Sequence, residues 1–266
     1  MGYARAALRR GLRMRLHFLE LLWFSTYAEL RAERSRSYLG LLWWLVEPAL
    51  MMAAFWLVFD RILGNGGPGY LPFLLIGLVV WQWFKSSVVH AGQAIWMNLA
   101  LIHQVRMPVL IFPLVNLLAD AIKFGVVFAL LLVVLWLAGY PPNPAYLSLL
   151  PLLFCIGLCA VGGGLLLAAL MPLLPDLRFV VEQLLTVLMF LSGVVFALQR
   201  VPAAFVQWLA WNPVLVLLDA LRGVLLQGQW PDAAALLRVA VMAAALALAG
   251  VAAVLRLAPR YPKLAA

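Results

Sequence analysis

Charged side chains are scarce in this sequence. Asp, Glu, Lys and Arg make up 11% of the 266 residues, 67% are apolar, and mean hydropathy is +1.04. A soluble domain is about half apolar and a quarter charged. So few polar groups cannot cover a water-facing surface, and lipid must solvate much of the chain. Cysteine is nearly absent, with only Cys155 and Cys159. Four apart in an apolar run, they share a helix face. They suit neither a disulfide nor a complete zinc site, and small buried side chains are their expected role. No Walker A, HExxH or GxSxG pattern occurs, His17, His90 and His103 are scattered, and the acids do not pair as a metal-dependent transferase needs. These absences point away from an enzyme and from a metal site, and any ATP used must bind another chain. Nor is there a compact apolar segment followed by a small-residue cleavage site, so the N-terminus is expected to be retained.

What is present is basic and then apolar. The net charge is +9, and Arg5, Arg9, Arg10, Arg13, Arg15, Arg31, Arg34 and Arg36 all precede the first long apolar run. Nucleic-acid binding is disfavoured, because aromatic-rich membrane segments follow directly. Retention on the cytoplasmic side, with contact to anionic lipid heads, explains the cluster better. Leu12, Leu16, Leu19, Trp23, Tyr27 and Leu30 recur at helical steps of three and four among several charges. That pattern predicts an interfacial helix on the cytoplasmic face.

The fold class expected is all-α and membrane-embedded, with three regions. A basic segment occupies about residues 1–38, a six-span domain about 39–256, and a cytoplasmic tail about 257–266. The spans fall at roughly 39–62, 70–89, 109–137, 147–170, 179–198 and 233–255. Residues 90–107 are too polar to span. Between the fifth and sixth spans, Pro202, Pro213 and Pro231 break an apolar stretch. Its halves, 203–211 and 214–226, are each too short to cross and read as helices that re-enter the outer leaflet. A seventh, kinked span is the rival, but it would place the basic C-terminus outside. With six spans both termini are cytoplasmic. Gly162, Gly163 and Gly164 inside the fourth span permit close helix approach.

Three constellations could carry function. Glu47 precedes Pro48 inside the first span; a membrane acid beside a helix kink is a functional candidate, or else a residue that snorkels or pairs near the interface. Trp44, Glu47, Met51, Phe55 and Phe59 share a face, with Trp43, Trp56, Trp81, Trp83 and Phe84 nearby. Such rings could line a glycan path or form an interfacial aromatic belt. Asp120 and Lys123, three apart in the third span with Asn116 one turn earlier, are placed to pair.

The approach to the first span, Arg34, Ser35, Arg36, Ser37, Tyr38, Gly40, Trp43 and Pro48, resembles permeases of type 2 ABC exporters. It is most similar to the branch exporting lipid-linked polysaccharides such as O-antigen, capsule and teichoic acid, with its Tyr-x-Gly-x-x-Trp pattern. Arg106, Met107 and Pro108 open the third span as in that family. Pro175, Asp176 and Leu177 resemble its Arg-Asp-Leu loop, with Pro175 in place of the arginine. Val201–Pro202 and Asn212–Pro213, with Trp211 between and Arg222 after, resemble its re-entrant region.

This resemblance implies a homodimer in the bacterial inner membrane, each protomer paired with a nucleotide-binding subunit that carries the ATP and Mg. No cofactor is expected on this chain. Contact with that subunit would fall to the N-terminal helix and to Gln93, Asn98, His103 and Arg106. The path would be lined by the first and fifth spans, through Trp43, Trp44, Glu47, Met51, Phe55, Phe59, Phe190 and Phe196. The substrate would be a glycan on polyprenyl pyrophosphate, with Arg31, Arg34 and Arg36 meeting the pyrophosphate or anionic lipid heads. A drug or another lipid is the rival substrate, and ion-coupled transport through Asp120 the rival mechanism.

Overall fold

A computed structural model describes residues 18–33, 43–62, 64, 69–104, 107–196, 202, 205, 208–209 and 211–263. Every regular element among these is helical. Helix α1 covers residues 18–33. Helix α2 (Trp43–Trp56) continues into a π-helical segment, Leu57–Ile62. Helices α3 (Tyr70–Met97), α4 (Leu99–Gln104) and α5 (Ile111–Leu137) follow. A 3₁₀ turn, Pro144–Ser148, leads into α6 (Leu149–Leu170), then α7 (Leu177–Leu191). Helix α8 (Pro213–Arg222) runs into a π turn, Gly223–Gln227, before α9 (Ala233–Leu257) and a final 3₁₀ segment, Ala258–Lys263.

Among the described residues, four helical stretches are long and apolar enough to cross a membrane: Tyr70–Met97, Ile111–Leu137, Pro144–Leu170 and Ala233–Tyr261. They coincide with the second, third, fourth and sixth expected spans. Two boundaries differ from expectation. Helix α3 does not stop near residue 89 but runs on through Gly92 to Met97, because His90 pairs with Asp120 of α5 and Gln93 is half-buried, and it ends where Asn98 N donates to Ile95 O. Helix α7 ends at Leu191, short of 198, because Gly193 adopts φ +67 and turns the chain. Helix α8 has ten residues plus a five-residue π turn, too short at 1.5 Å per residue to cross a core of about 30 Å.

Local chemistry sets the helix starts. The Asn143 side chain accepts from Ala145 N at 2.9 Å and Asn212 from Val214 N at 3.0 Å, each just before a helix-initiating proline. Asp232 caps α9 by accepting from Ala234 N at 3.0 Å.

Helix α6 sits at the centre, packed on α9 and α3. A Cβ on Gly162 would lie 2.8 Å from Ala247 N of α9, and one on Gly164 would lie 2.8 Å from Ala91 Cβ of α3. On the α9 side, a Cβ on Gly250 would meet Leu165 Cβ at 2.7 Å. The glycines thus let α6 approach two neighbours on different faces, as their sequence suggested. At the end of the chain, Tyr261 is fully buried beside Ile95, Leu165 and Ala168, and its hydroxyl donates to Ala169 O at 3.1 Å.

Candidate functional site

A cavity of about 590 Å³ opens between α1, α3, α5 and α7. In α3 the face that reaches it carries Val79, Trp83, Ser86 and His90, spaced by three and four. Asp120, Lys123 and Phe124 come from α5, Glu182, Gln183 and Thr186 from α7, and Glu33 from the end of α1. Trp83 and Phe124 stack with centroids 4.0 Å apart and planes at 10°, forming an apolar wall.

The same cavity is lined by a chain of charged groups. Lys123 Nζ lies 2.7 Å from Asp120 Oδ1 and 2.9 Å from Glu33 Oε2. His90 Nδ1 lies 2.8 Å from Asp120 Oδ2. With Asp120 ionised, Nδ1 carries the proton and donates to it. Asn116 Nδ2 donates to His90 O at 3.1 Å. The Asp120 side chain is 2% exposed and that of Lys123 14%, whereas those of Glu33 and His90 are 38% and 48% exposed. Burying one charge alone costs several kcal/mol, and a paired, hydrogen-bonded set offsets that cost. The network therefore lets α5 keep a carboxylate inside the membrane, and it ties α1 and α3 to α5 through side chains. Asp120 and Lys123 pair as their spacing predicts; His90 and Glu33 were not foreseen.

A second buried polar knot lies near the α8 C-terminus. Arg222 is 5% exposed, and its guanidinium donates to Phe73 O at 3.1 Å, Gly193 O at 2.7 Å and Val194 O at 2.8 Å. It also stacks over the Phe73 ring at 3.5 Å. A Cβ on Gly77 would collide with Arg222 Nη2, so glycine is what admits the guanidinium to α3. Asn212 adds a second tie, donating to Ser192 Oγ at 3.0 Å and Leu191 O at 3.3 Å. Together these side chains fix α8 against the end of α7. Trp211 and Pro202, from the same expected region, are exposed, and Pro213 is half-buried.

The remaining expected site residues fall on several elements or outside the described residues. Trp43, Trp44, Glu47 and Phe55 lie on α2 and Phe59 on the π-helical segment after it, with side chains outside the described residues, while Met51 is exposed. Phe190 is exposed on α7, and Phe196 is half-buried beyond it. Gln93 is half-buried on α3, and Asn98 at its end donates to Ala94 O at 2.8 Å. His103 lies on α4 with its side chain outside the described residues; Arg34, Arg36 and Arg106 fall outside them entirely. Arg31 is exposed on α1.

On α1 the apolar residues Leu19, Trp23, Phe24 and Tyr27 face away from the bundle, and Thr26 is the buried position. An apolar stripe turned outward, with Glu33 turned inward to Lys123, suits a helix resting on lipid while tethered to the bundle.

The family profile described as "ABC-2 type transporter" matches residues 20–226. The chain is similar to the O-antigen export system permease protein RfbA of Myxococcus xanthus, with 29% identity over 82% of this chain and 85% of the relative. It is also similar to the protein of the same name from Klebsiella pneumoniae, at 24% identity over 80% and 82%. The polysialic acid transport protein KpsM of Escherichia coli matches at 25% identity over 75% and 79%.

Proposed function

Because the chain belongs to the ABC-2 type transporter family, we propose that it is the membrane subunit of an ATP-driven exporter of a lipid-linked polysaccharide. The relatives named for O-antigen and polysialic acid export support the substrate class. The observation that carries the reading is the polar strip Glu182, Gln183 and Thr186 on α7, which faces a cavity shared with the charged groups of α1, α3 and α5. A carboxylate and two polar side chains on one helix face are costly against lipid. They call for water, substrate or a second copy of the chain beside them.

In this reading the protein is an inner-membrane homodimer of six-span protomers with both termini cytoplasmic. The first and fifth spans line the path, and two ATPase subunits that bind ATP and Mg dock beneath. Helix α1 rests on anionic lipid, with Arg31, Arg34 and Arg36 toward phosphate groups. Helix α4 and its flanks, including Gln93, Asn98, His103 and Arg106, receive the ATPase subunit. Differential contacts in the nucleotide-bound and free states would then shift the dimer between closed and open forms. Helix α8 is a re-entrant element of the outer leaflet. The ion-coupled alternative through Asp120 is weakened by its environment, since both carboxylate oxygens already hold partners.

The test is a pull-down in mild detergent with an ATPase assay, beside surface-polysaccharide analysis of cells lacking the gene. A stoichiometric ATPase partner and loss of the surface glycan are expected. A homo-oligomer with no ATPase partner would overturn the reading. For the aromatic path, Trp44→Ala with Phe55→Ala should impair export without impairing assembly. Normal surface glycan in that double variant would remove those rings from the path.

A further inference from the structure

A second cavity, of about 490 Å³, lies apart from the central one, between α8, the loop after it and the first turns of α9. Its size falls within the range of small-molecule sites. Its floor is apolar, from Phe73, Leu152 and Leu217, and its mouth is polar, from Asp219, Gln227, Gln229, Trp230 and Arg238.

The mouth is held in shape. Gly228 takes φ +66 at the turn, Gln229 N donates to Gly223 O at 3.0 Å, and Asn143 Nδ2 donates to Val224 O at 3.0 Å. The backbone is thus fixed while the side chains at the mouth are left open. None of the five makes a side-chain hydrogen bond to a described residue. Asp219 is half-buried, and Trp230 is 60% exposed. Arg222, on the cavity wall, is committed to three carbonyl oxygens and is not available to a ligand.

We infer that this cavity is a saccharide-binding subsite, taking one or two sugar units of the exported chain where it leaves the membrane. The inference rests on the polysaccharide reading above for its ligand class and for placing this end of the bundle outside. The chemistry comes from the side chains. Sugar hydroxyls both donate and accept, and they need acids, amides and guanidinium groups together, as Asp219, the two glutamines and Arg238 provide. Sugar rings also present an apolar face, for which the Trp230 indole is a platform. A phosphate group fits less well, because Asp219 and Asp232 balance the cations around the cavity. Binding here would hold emerging chain beside the path and oppose its return.

The test uses the whole transporter, purified with its ATPase subunit in nanodiscs. The probe is the surface glycan of the source cells, released from its lipid by mild acid. Saturation-transfer NMR should show saturable binding, weakened at least ten-fold by Trp230→Ala and by Asp219→Asn and largely restored by Trp230→Phe. Co-purification of the ATPase subunit should be unchanged in each variant. Unchanged binding in both weakened variants would overturn the subsite, as would no saturable binding to the wild type. Binding abolished by anionic phospholipid would also overturn it, making this a lipid-head site. Surface glycan in a gene-deletion strain separates the two failures. Its loss on deletion keeps the export reading while the subsite falls, and its persistence sinks both.

Discussion

Asp120 shows what a buried charge demands of its neighbours. Removing Lys123 leaves a carboxylate inside the membrane with only His90 beside it. Breaking a buried pair in this way costs about 3–5 kcal/mol in soluble proteins, and the low end applies where unfolded spans also find partners. Lys123→Met is therefore expected to lower the thermal unfolding midpoint of the detergent-purified chain by several degrees. Adding Asp120→Asn should restore part of the loss, as coupled sites are not additive. Equal midpoints for wild type and Lys123→Met would show that the network contributes nothing. Arg222→Lys keeps a charge but loses the fork that reaches three carbonyls. It should cost about 1.5–3 kcal/mol, read as the same midpoint shift. The spacing of Asp120 and Lys123 made their pairing legible in the sequence. Their partners were not, since His90 lies 30 residues from Asp120 and Glu33 lies 90 from Lys123. A lone histidine in a polar-looking stretch gives no sign of which acid it will meet.

At the scale of the element, α6 turns on which glycine faces which neighbour. A methyl on Gly162 would be driven into the α9 backbone, whereas one on Gly163 meets Val88 at an ordinary 3.5 Å. Gly162→Ala should thus lower the yield of folded protein and its melting midpoint, and Gly163→Ala should leave both near wild type. Equal behaviour of the two would mean that α6 and α9 are not as close as described. Helix interiors were the legible part of the fold, because long apolar runs have few alternatives in lipid. Helix ends were less so. Counting polar residues closed the second span too early: His90 is hydrogen-bonded to Asp120 of α5, and Gln93 is half-buried within the bundle. The early end of α7 did carry a signal, the Ser192–Gly193 pair, a familiar helix terminator. An apolar run on either side of it hid that signal.

For the whole molecule, the outer surface says what must lie against it. Phe179, Val180, Leu184 and Val187 of α7 are exposed alongside the polar strip. One helix thus presents a lipid-like face and a water-like face, as expected of a span at the edge of a path. Thr186→Cys is expected to react with a small membrane-impermeant maleimide in inside-out membrane vesicles, and Leu184→Cys is not. Failure of Thr186→Cys to label in both resting and nucleotide-trapped transporter would place that strip against protein rather than water. The polar cavity was not legible in the sequence, because four separated helices must come together to form it.

The buried Tyr261 sets a limit on trimming the segment after α9. Its hydroxyl sits on the Ala169 carbonyl and its ring lies among Ile95, Leu165 and Ala168. Trimming back to Leu257, where the long helix ends, would pull a stopper from the end of α6 and strand that carbonyl. The few residues that look like a dispensable tail therefore hold the end of α6 in place and cannot be given up.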